Sequence, residues 1–451
     1  MNEAKHNKRI IAVGIAVLCA TVGFGAAVFT RTIEEFSWEY FLWRLDSMYE
    51  SSHTFVRHFS PTWRSLKKIG DVLYMPQTLF YTSNLPVYEL ELKRSDVQLL
   101  LDSLPIGTPY LTDEYKTFVK GIFRYNDLET EARVRYRGWA SNHWNARKKS
   151  FSIELLDEAI GEHTRTLRLV IPEDRGWVAE PFEAYRAQKF GVLTPSLEYV
   201  KLRLNGHDLG VYMVIERLDE SFLKRNQRPV GEIFSNIDAE LDSSTDLLSI
   251  DNVDYWSSRI DEETNHHKEH LSRFLYVLSK TTDEEFAEQI PRILDMERMY
   301  GWMLQVLLAS SYHQSNSGNL NFYYDSQKDI FEPIVNDVRL HELGDAYNVG
   351  HHRLMNRILS HEPFRAEFEQ YVRAYVQNPQ HLEDDLLYYD SVVTLIEKDI
   401  MADTAKLPPT SLFFTSTEQY RKEIIANFEK VRGWLEAGNV PLQFVEETYP
   451  L

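Results

Sequence analysis

Two short stretches in the first third of the chain alternate apolar and polar residues with a period of two. In the first, Val134 and Tyr136 alternate with arginines, and the second, at 151–155, reads FSIEL. Such alternation is typical of a strand with one buried face, because successive side chains point to opposite faces of a sheet. The residues between include Gly138 and are otherwise mostly polar. The pattern predicts two strands, 133–137 and 151–155, joined by a polar loop.

The rest of the chain before about residue 247 mixes strand and helix patterns. Alternation begins near Leu85, and Asn205-Gly206 is typical of a tight hairpin turn because both residue types tolerate positive φ. One helical pattern stops at Gly191, a common helix terminator. We therefore predict an antiparallel sheet with some helices. The remaining strands are predicted at 87–92, 167–171, 200–204 and 210–215, and the helices at 95–104 and 179–190.

Helical spacing of apolar residues dominates beyond Leu247, interrupted by a single hairpin at 320–324 and 330–335. The predicted helices are 263–280, 284–294, 296–309, 364–376, 381–398 and 417–435. A sheet-rich first lobe followed by a helix-rich second lobe predicts an α+β fold, and 451 residues are enough for a two-lobed enzyme.

The N-terminus carries a run of twenty residues, 10–29, without a charged side chain, preceded by Lys5, Lys8 and Arg9. A helix of this length spans about 30 Å, enough to cross the core of a bilayer. A cleaved signal peptide would have a shorter apolar region and a small-residue cleavage site. We favour an uncleaved transmembrane anchor with residues 1–9 in the cytoplasm, because basic residues flank the cytoplasmic end of a span.

This anchor predicts a single-pass protein of the cytoplasmic membrane with the bulk of its chain outside the cytoplasm. Cys19, the only cysteine, lies within the span, so the outer part has no disulfide. Secreted eukaryotic domains more often carry disulfides, which favours a bacterial envelope protein. After the anchor we predict a membrane-proximal stalk at 30–84, a main domain at 85–438 and a C-terminal tail at 439–451. A formal net charge of -19 argues against nucleic acid as a partner.

Against this acidic background, residues 133–149 carry six Lys or Arg and no Asp or Glu. Arginine and lysine beside a glycine-containing turn suit a phosphate group, because they combine charge with an accessible backbone. The alternative is a solvated face of an antiparallel sheet that binds nothing. A weaker third interpretation is a binding surface for an anionic envelope polymer.

Four motifs, in chain order, resemble the CotH kinase family, the spore-coat protein H type of atypical protein kinases. They are RGWAS with RKKSFSIEL at 137–155, RLVIPEDRGW at 168–177 with the following "NG…GVY…E" stretch at 190–223, the helical DMERMYGWMLQVLLAS at 295–310 and the "N…FY…PI..D" stretch at 313–337. The resemblance covers roughly residues 85–438. It implies a two-lobed kinase-like fold that uses ATP with Mg²⁺ or Mn²⁺. It also implies phosphate transfer to Ser or Thr of an envelope or coat protein.

Phosphoryl transfer first needs cations on the nucleotide phosphates, and the candidates are Arg137, Lys148 and Lys149. By strand parity Lys149 shares a face with Phe151, whereas Lys148 shares the opposite face with Ser150. Only one lysine should therefore face a nucleotide, and the family resemblance favours Lys148. The alternative is that both lysines lie on a solvated strand face. The resemblance also implies a nucleotide-edge or structural role for Glu216.

The second requirement is a carboxylate that holds the metal ion, and Asp337 follows the predicted hairpin closely. Protein kinases present a metal-binding Asp and an upstream Asn in this way, and hard oxygen ligands suit Mg²⁺ or Mn²⁺. By resemblance Asp337 is the metal-binding residue, with Asn319 favoured over Asn321 as second ligand. The family usually has Trp before this Asp, and here the residue is Asn336. The alternative role for Asp337 is that of a capping residue.

The third requirement is a base near the acceptor hydroxyl, and here the chain departs from the family pattern. Many members carry an Asp in the loop upstream of the conserved Asn, but no carboxylate occurs between Glu297 and Asp325. Either His313 is the catalytic base, or another segment supplies a carboxylate, or transfer is weak. The rival to an active kinase is thus a pseudokinase or a structural scaffold for envelope assembly. Kinase analogy also suggests Glu183 as the acidic partner of the phosphate-binding lysine.

Overall fold

The computed structural model describes residues 68–106, 108, 110–144, 148–157, 159–160, 165–236, 245–260 and 268–444. The chain forms two compact units, each built from several separate stretches. The first unit comprises Met1–Phe151, Tyr199–Tyr212 and Thr394–Ser416. The second comprises Ser152–Glu198, Met213–Val393 and Thr417–Leu451.

Seven strands close into a barrel in the order β1-β2-β3-β4-β5-β7-β6, and three of them run from one unit into the other. Antiparallel pairing joins β1 to β2 and β2 to β3, whereas β1 and β6 are parallel. The strands are β1 (Val87–Leu92), β2 (Val119–Tyr125), β3 (Leu128–Tyr136), β4 (Phe151–Leu155), β5 (Thr166–Val170), β6 (Leu197–Leu204) and β7 (His207–Ile215).

Alternating apolar residues of β1, β2, β3 and β6 contribute to the core of the first unit. Leu90 lies opposite Phe123 on β2 and, on its other side, pairs with Leu204 of β6. Leu90, Phe123 and Val134 are each at most 1% exposed. The ring of Tyr88 packs edge-on against Phe123, with centroids 5.2 Å apart, a favourable arrangement of two aromatic rings.

The turn between β6 and β7 is the hairpin that its sequence predicts. Asn205 and Gly206 have φ values of 51° and 79°, so both residues of the turn adopt the left-handed conformation that a tight hairpin requires. The Asn205 side chain also pairs with both backbone groups of Leu92, at 2.8 and 3.0 Å. This contact ties the turn to the end of β1.

The second unit contains a separate four-stranded sheet in the order β11-β10-β8-β9, and all of its described pairings are antiparallel. Tyr323 of β10, with Leu193, Leu218 and Ile233, lies in a cluster of side chains that are at most 5% exposed. The strands are β8 (Glu232–Asn236), β9 (Trp256–Ser258), β10 (Asn321–Asp325) and β11 (Ile330–Pro333), and a short parallel pair is β12 (Tyr347–Asn348) with β13 (Leu442–Gln443).

Helices account for much of the remaining described chain, and several begin with a side-chain cap. Thr282 and Glu285 form a reciprocal capping box, and Asp219 and Asp295 cap two other helices. The helices are α1 (Met75–Thr78), α2 (Arg94–Asp102), α3 (Ala179–Lys189), α4 (Glu220–Arg225), α5 (Lys268–Lys280), α6 (Asp283–Ile293), α7 (Met296–Leu308), α8 (Arg353–Ser360), α9 (Glu362–Val376), α10 (Pro379–Ala402) and α11 (Thr410–Ala437).

The predicted mixed α+β fold is confirmed, but the predicted form of its first sheet is wrong. The strands close into a barrel that includes a parallel pair, whereas the prediction was an antiparallel sheet. The two-lobed kinase-like division is also wrong, because Thr394–Ser416, near the C-terminus, belongs to the first unit. A period-two pattern identifies a strand by its buried face, but it carries no information about the partner or its direction.

Among the described residues, no helix is both long and apolar enough to cross a membrane. The predicted span 10–29 lies outside the described residues, as do the n-region 1–9 and residues 30–67 of the predicted stalk. The predicted domain boundaries stay predictions.

Candidate active site

Lys148, the lysine favoured for phosphate contact, is enclosed within the first unit and is 2% exposed. Its Nζ donates a 2.7 Å hydrogen bond to Oδ2 of Asp403, and both side chains of this ion pair are fully buried. Nζ lies 5.0 Å from the centroid of the Tyr212 ring. An isolated buried ammonium group is strongly destabilising, so Asp403 supplies the counter-charge that this lysine requires.

Asp403 is held by backbone donors as well as by Lys148. Its Oδ2 accepts the N–H of Val211 at 2.9 Å, and its Oδ1 accepts the N–H groups of Ala405 and Lys406 at 2.7 and 2.9 Å. Burial alone would raise the pKa of Asp403, but the charge and hydrogen bond of Lys148, with these donors, lower it below its ordinary value. The carboxylate is therefore ionised at neutral pH.

Two further features fix the position of Asp403. Gly210 of β7 has a φ of +81°, and a Cβ at this position would overlap the Asp403 carboxylate, so the close approach requires glycine. On the other side, Lys406 donates from Nζ to Asp71 Oδ2 at 2.8 Å, and Thr410 N–H donates to Asp71 Oδ1 at 2.7 Å. We call these four charged residues the lysine cluster, namely Lys148, Asp403, Lys406 and Asp71.

The other two predicted phosphate-binding residues lie near Lys148 in the same unit. Lys149 is partly exposed, donates from Nζ to the backbone oxygen of Trp144 at 2.7 Å, and lies 5.7 Å from the Tyr136 ring centroid. Arg137 is also partly exposed, and its N–H donates to Ser150 O at 3.1 Å. The two lysines thus differ in exposure, and Lys148 is the one with an acidic partner.

In the second unit, three predicted site residues from two loops lie together. The His313 Nε2 is 3.2 Å from Asp337 Oδ2, and the His313 backbone oxygen accepts Asn319 Nδ2, also at 3.2 Å. Asn319 and Asp337 both have a φ of 57°, an uncommon conformation for residues other than glycine that is found mostly in turns. The loop after α7 and the segment after β11 therefore bring the predicted base and the predicted metal ligand into direct contact.

Asp337 also forms an ion pair with Arg175, which follows β5 in the chain. Arg175 Nε lies 3.4 Å from Glu180 Oε2 and 3.6 Å from Asp174 Oδ2, and Glu180 Oε1 accepts the Asp337 N–H at 3.1 Å. Arg339 Nε is a further cation, 3.5 Å from Asp337 Oδ1. We call this set the aspartate cluster, namely Asp337, His313, Arg175, Glu180, Asp174 and Arg339.

The two central carboxylates of the aspartate cluster have opposite pKa shifts. Burial alone would raise the pKa of Asp337, but the charges of Arg175, His313 and Arg339 hold it well below its usual range. Burial raises the pKa of Glu180, and the neighbouring Asp337 charge adds to this effect against the opposing charge of Arg175. Asp337 is thus the anion on which the positive charge of the cluster is centred.

As arranged, the aspartate cluster does not fit the predicted metal ion. Oδ1 of Asp337 faces Arg175 and Oδ2 faces His313, so each oxygen of the predicted metal ligand already has a partner from the chain. Within the described ranges, no group of three or more His, Cys, Asp or Glu side chains is placed to hold a metal ion. The cation next to Asp337 is a guanidinium group of the chain itself.

Glu216, predicted at the nucleotide edge or in a structural role, lies in the second unit against Arg225. Arg225 Nε lies 3.0 Å from each Glu216 oxygen, and its Nη2 donates to Glu216 Oε2 at 2.6 Å. The Ser196 N–H donates to the same carboxylate at 2.9 Å. A forked pair of this kind fixes the chain after β7 and is consistent with the structural alternative.

The suggested pairing of Glu183 with the phosphate-binding lysine is wrong. Glu183 is fully buried and lies 3.2 Å from Arg186, whose Nε donates to Asp385 at 2.9 Å, and the lysine pairs with Asp403 instead. Burial raises the pKa of Glu183 to about 7 even though Arg186 is adjacent. The analogy with protein kinases identifies an acidic residue on α3, but in the structure this residue lies against Arg186 of the same helix and not against the lysine.

Sequence reasoning missed Asp403 entirely. It is separated from Lys148 by 255 positions, and no local spacing connects two residues so far apart. Arg175 lies within one of the family motifs, but nothing in PEDRGW indicates that its side chain faces Asp337. The one sequence feature that points to the contact of Asp403 is Gly210, in the stretch "GVY", since a glycine within a strand often marks a place where another group approaches the backbone closely.

The residues of both clusters, apart from Asp71, lie within the part of the chain that matches a known family. A family model described as CotH kinase protein matches residues 134–437, more than half of the chain. A relative, the inner spore coat protein H of Bacillus subtilis (strain 168), is 21% identical over 363 residues. The aligned region is 77% of this chain and 92% of that relative.

Proposed function

The chain belongs to the CotH kinase family, and from this premise we propose that it transfers phosphate from ATP to Ser or Thr of an envelope or coat protein. The family resemblance of the sequence motifs is thereby confirmed. The proposal is supported mainly by the contact between His313 and Asp337, since it answers the question raised by the missing loop carboxylate.

A buried carboxylate that faces one nitrogen of an imidazole fixes the ring and its tautomer, which is a common way to prepare a general base. The Asp337 side chain is 12% exposed, whereas the His313 side chain is 36% exposed. With Nε2–H donating to Asp337, Nδ1 becomes the proton-accepting nitrogen of His313. The ring therefore combines a fixed orientation with access for a substrate hydroxyl.

In the proposed reaction, His313 takes the proton of the substrate hydroxyl as its oxygen bonds to the terminal phosphorus and the nucleoside diphosphate departs. The predicted phosphate contacts all belong to the first unit, where Arg137 and Lys149 are partly exposed and the buried Lys148 is paired with Asp403. Lys148 carries an acidic partner, as the phosphate-binding lysine of protein kinases does. No step is assigned to a metal ion, since the aspartate cluster does not fit one.

The second candidate is a pseudokinase or structural scaffold. It is favoured by the ion pair between Arg175 and Asp337 and by the complete enclosure of Lys148. Both charged side chains of the predicted site are neutralised by the chain itself, an arrangement that also suits a purely structural role.

Transfer is tested with the full-length protein and labelled ATP, using an envelope protein fraction or the protein itself as acceptor. The wild type should incorporate label, and His313→Ala should reduce turnover roughly 10²–10⁴-fold while nucleotide binding persists. His207→Ala is the matched control, because His207 is an exposed residue at the start of β7. A wild type that binds nucleotide but labels nothing would favour the pseudokinase.

We also propose that the protein is anchored in a bacterial cytoplasmic membrane through residues 10–29, with its main domain outside the cytoplasm. The support is the uncharged run and its basic flank. A reporter that works only in the cytoplasm, fused after Leu451, should be silent. Activity of that reporter would contradict the orientation and the compartment.

A further inference from the structure

Three carboxylates of the aspartate cluster converge on a single guanidinium group. Arg175 pairs with Asp337 Oδ1, and its Nε lies 3.4 Å from Glu180 and 3.6 Å from Asp174. All four side chains are between 5% and 12% exposed. This enclosure distinguishes the arrangement from a surface ion pair, in which solvent would screen the charges.

The backbone holds Arg175 in this place. Arg175 ends the 3₁₀-helix Pro172–Arg175, and the next two residues, Gly176 and Trp177, both have a φ of 59°. A Cβ on Gly176 would lie 3.0 Å from Ala179 Cβ and 3.1 Å from the Tyr420 hydroxyl. The turn is therefore tightly packed, and Arg175 is not a long side chain resting on the surface.

The charges of the cluster depend on this one residue. With Arg175 present, Asp337 lies next to two guanidinium groups, those of Arg175 and Arg339. Without Arg175, the remaining guanidinium group would be that of Arg339, whose side chain is 36% exposed. A carboxylate in this position is what the family resemblance assigns to a divalent cation. Arg175 is thus located against the carboxylate that such an ion would bind.

We propose that Arg175 takes the place of the divalent cation at Asp337, so that the chain itself balances this carboxylate and nucleotide binding needs no metal ion there. The second half of this statement rests on the proposed function, whereas the first half concerns only the aspartate cluster. The chemistry is that of a fixed guanidinium group, which carries one charge, is never deprotonated and cannot be removed by a chelator.

The first experiment measures binding of Mn²⁺ alone to the full-length protein, without nucleotide, by the electron paramagnetic resonance signal of the free ion. The wild type should not bind Mn²⁺ at the cluster, whereas Arg175→Met should bind about one ion. Arg175→Met with Asp337→Asn should lose that ion. Arg339→Met is the matched control: it removes the same charge next to the same carboxylate but leaves Arg175 in place, so Mn²⁺ should not bind. Stoichiometric binding by the wild type that Asp337→Asn abolishes would overturn the proposal.

Arg175→Met removes the ion pair of the buried Asp337, so it is also examined for folding with and without Mn²⁺. Folding that requires Mn²⁺ supports the proposal, because the ion then replaces the guanidinium group. If this variant does not fold under either condition, Arg175→Lys and the wild type decide. Neither of these two proteins should bind Mn²⁺. Mn²⁺ binding by the wild type that is lost in Asp337→Asn would contradict the proposal.

The second experiment measures ATP binding by calorimetry in excess EDTA and in Mn²⁺. Equal wild-type affinity under both conditions is expected, and strict dependence on Mn²⁺ would contradict metal-independent binding. If the wild type binds no ATP under either condition while Arg175→Met gains a Mn²⁺ site, the proposed function fails but the role of Arg175 stands. The two failures are therefore distinguishable.

Discussion

Replacing Asp403 by Asn should strongly destabilise the protein, because it leaves the Lys148 ammonium group buried without a counter-charge. The two charged atoms are 2.7 Å apart and both side chains are fully buried. At an effective dielectric constant of about 20, Coulomb attraction at that distance is roughly 6 kcal/mol. Part of it is offset by the cost of desolvating both ions, and breaking one side of such a pair costs about 3–5 kcal/mol.

The assay is denaturant unfolding of the full-length wild type, Asp403→Asn, Lys148→Met and the double variant. Each single variant should lower the free energy of unfolding by about 3–5 kcal/mol. The double variant should lose less than the sum, because it removes both charges, and the shortfall measures their coupling. Single variants within about 1 kcal/mol of the wild type, or fully additive effects, would refute this account of the pair.

The pH dependence of the Asp403→Asn effect supplies a second check. The folded-state pKa of Asp403 is lowered, so its stabilising contribution is complete above the unfolded-state pKa of about 3.9. It is lost progressively as the pH falls from there towards the folded-state pKa. The difference between wild type and Asp403→Asn should be constant from pH 6 to 8 and shrink only in acid.

Three further predictions concern the same regions. Gly210→Ala should lower the free energy of unfolding by about 1–3 kcal/mol more than Gly206→Ala. Both glycines have φ near +80°, but only Gly210 lies against a carboxylate. Equal effects would contradict this close approach. The stability of the wild type relative to Glu183→Gln should fall by on the order of 3 kcal/mol as the pH rises from about 4.5 to about 7, because burial raises the folded-state pKa of Glu183 to about 7. Parallel pH profiles of the two proteins would contradict that shift. Lys148→Ala should weaken nucleotide binding by about 1.5–3 kcal/mol and Lys149→Ala by less, as measured by calorimetry on folded protein; the reverse order would exclude Lys148 as the main phosphate contact.

The sequence was sufficient for local features because each depends on neighbouring residues. The strand at 151–155, the Asn205-Gly206 turn and the hairpin around Asp325 each depend on patterns within about ten residues, and the structure has all three. Closure of the barrel depends on β1 pairing with β6, which joins segments more than a hundred residues apart. No periodicity in either strand specifies that pairing or its parallel direction.

The same distinction separates the site residues that were predicted from those that were missed. His313, Asn319 and Asp337 were recognisable because they flank a hairpin that was itself predictable, and the structure brings them together. The opposing charges, from Asp403 and Arg175, come from distant segments. They therefore became visible only in the folded chain.

This difference bears on which observation separates a kinase from a pseudokinase. Lys148 and Asp337 are both buried charges, and each would destabilise the fold without its partner, so stability alone is a sufficient reason for their pairing. Their presence is consequently compatible with either function. His313 is different, because its side chain is 36% exposed and removing it leaves Asp337 paired with Arg175. An exposed imidazole held by a buried carboxylate is not required by the fold, so the activity of His313→Ala is the measurement that decides between the two functions.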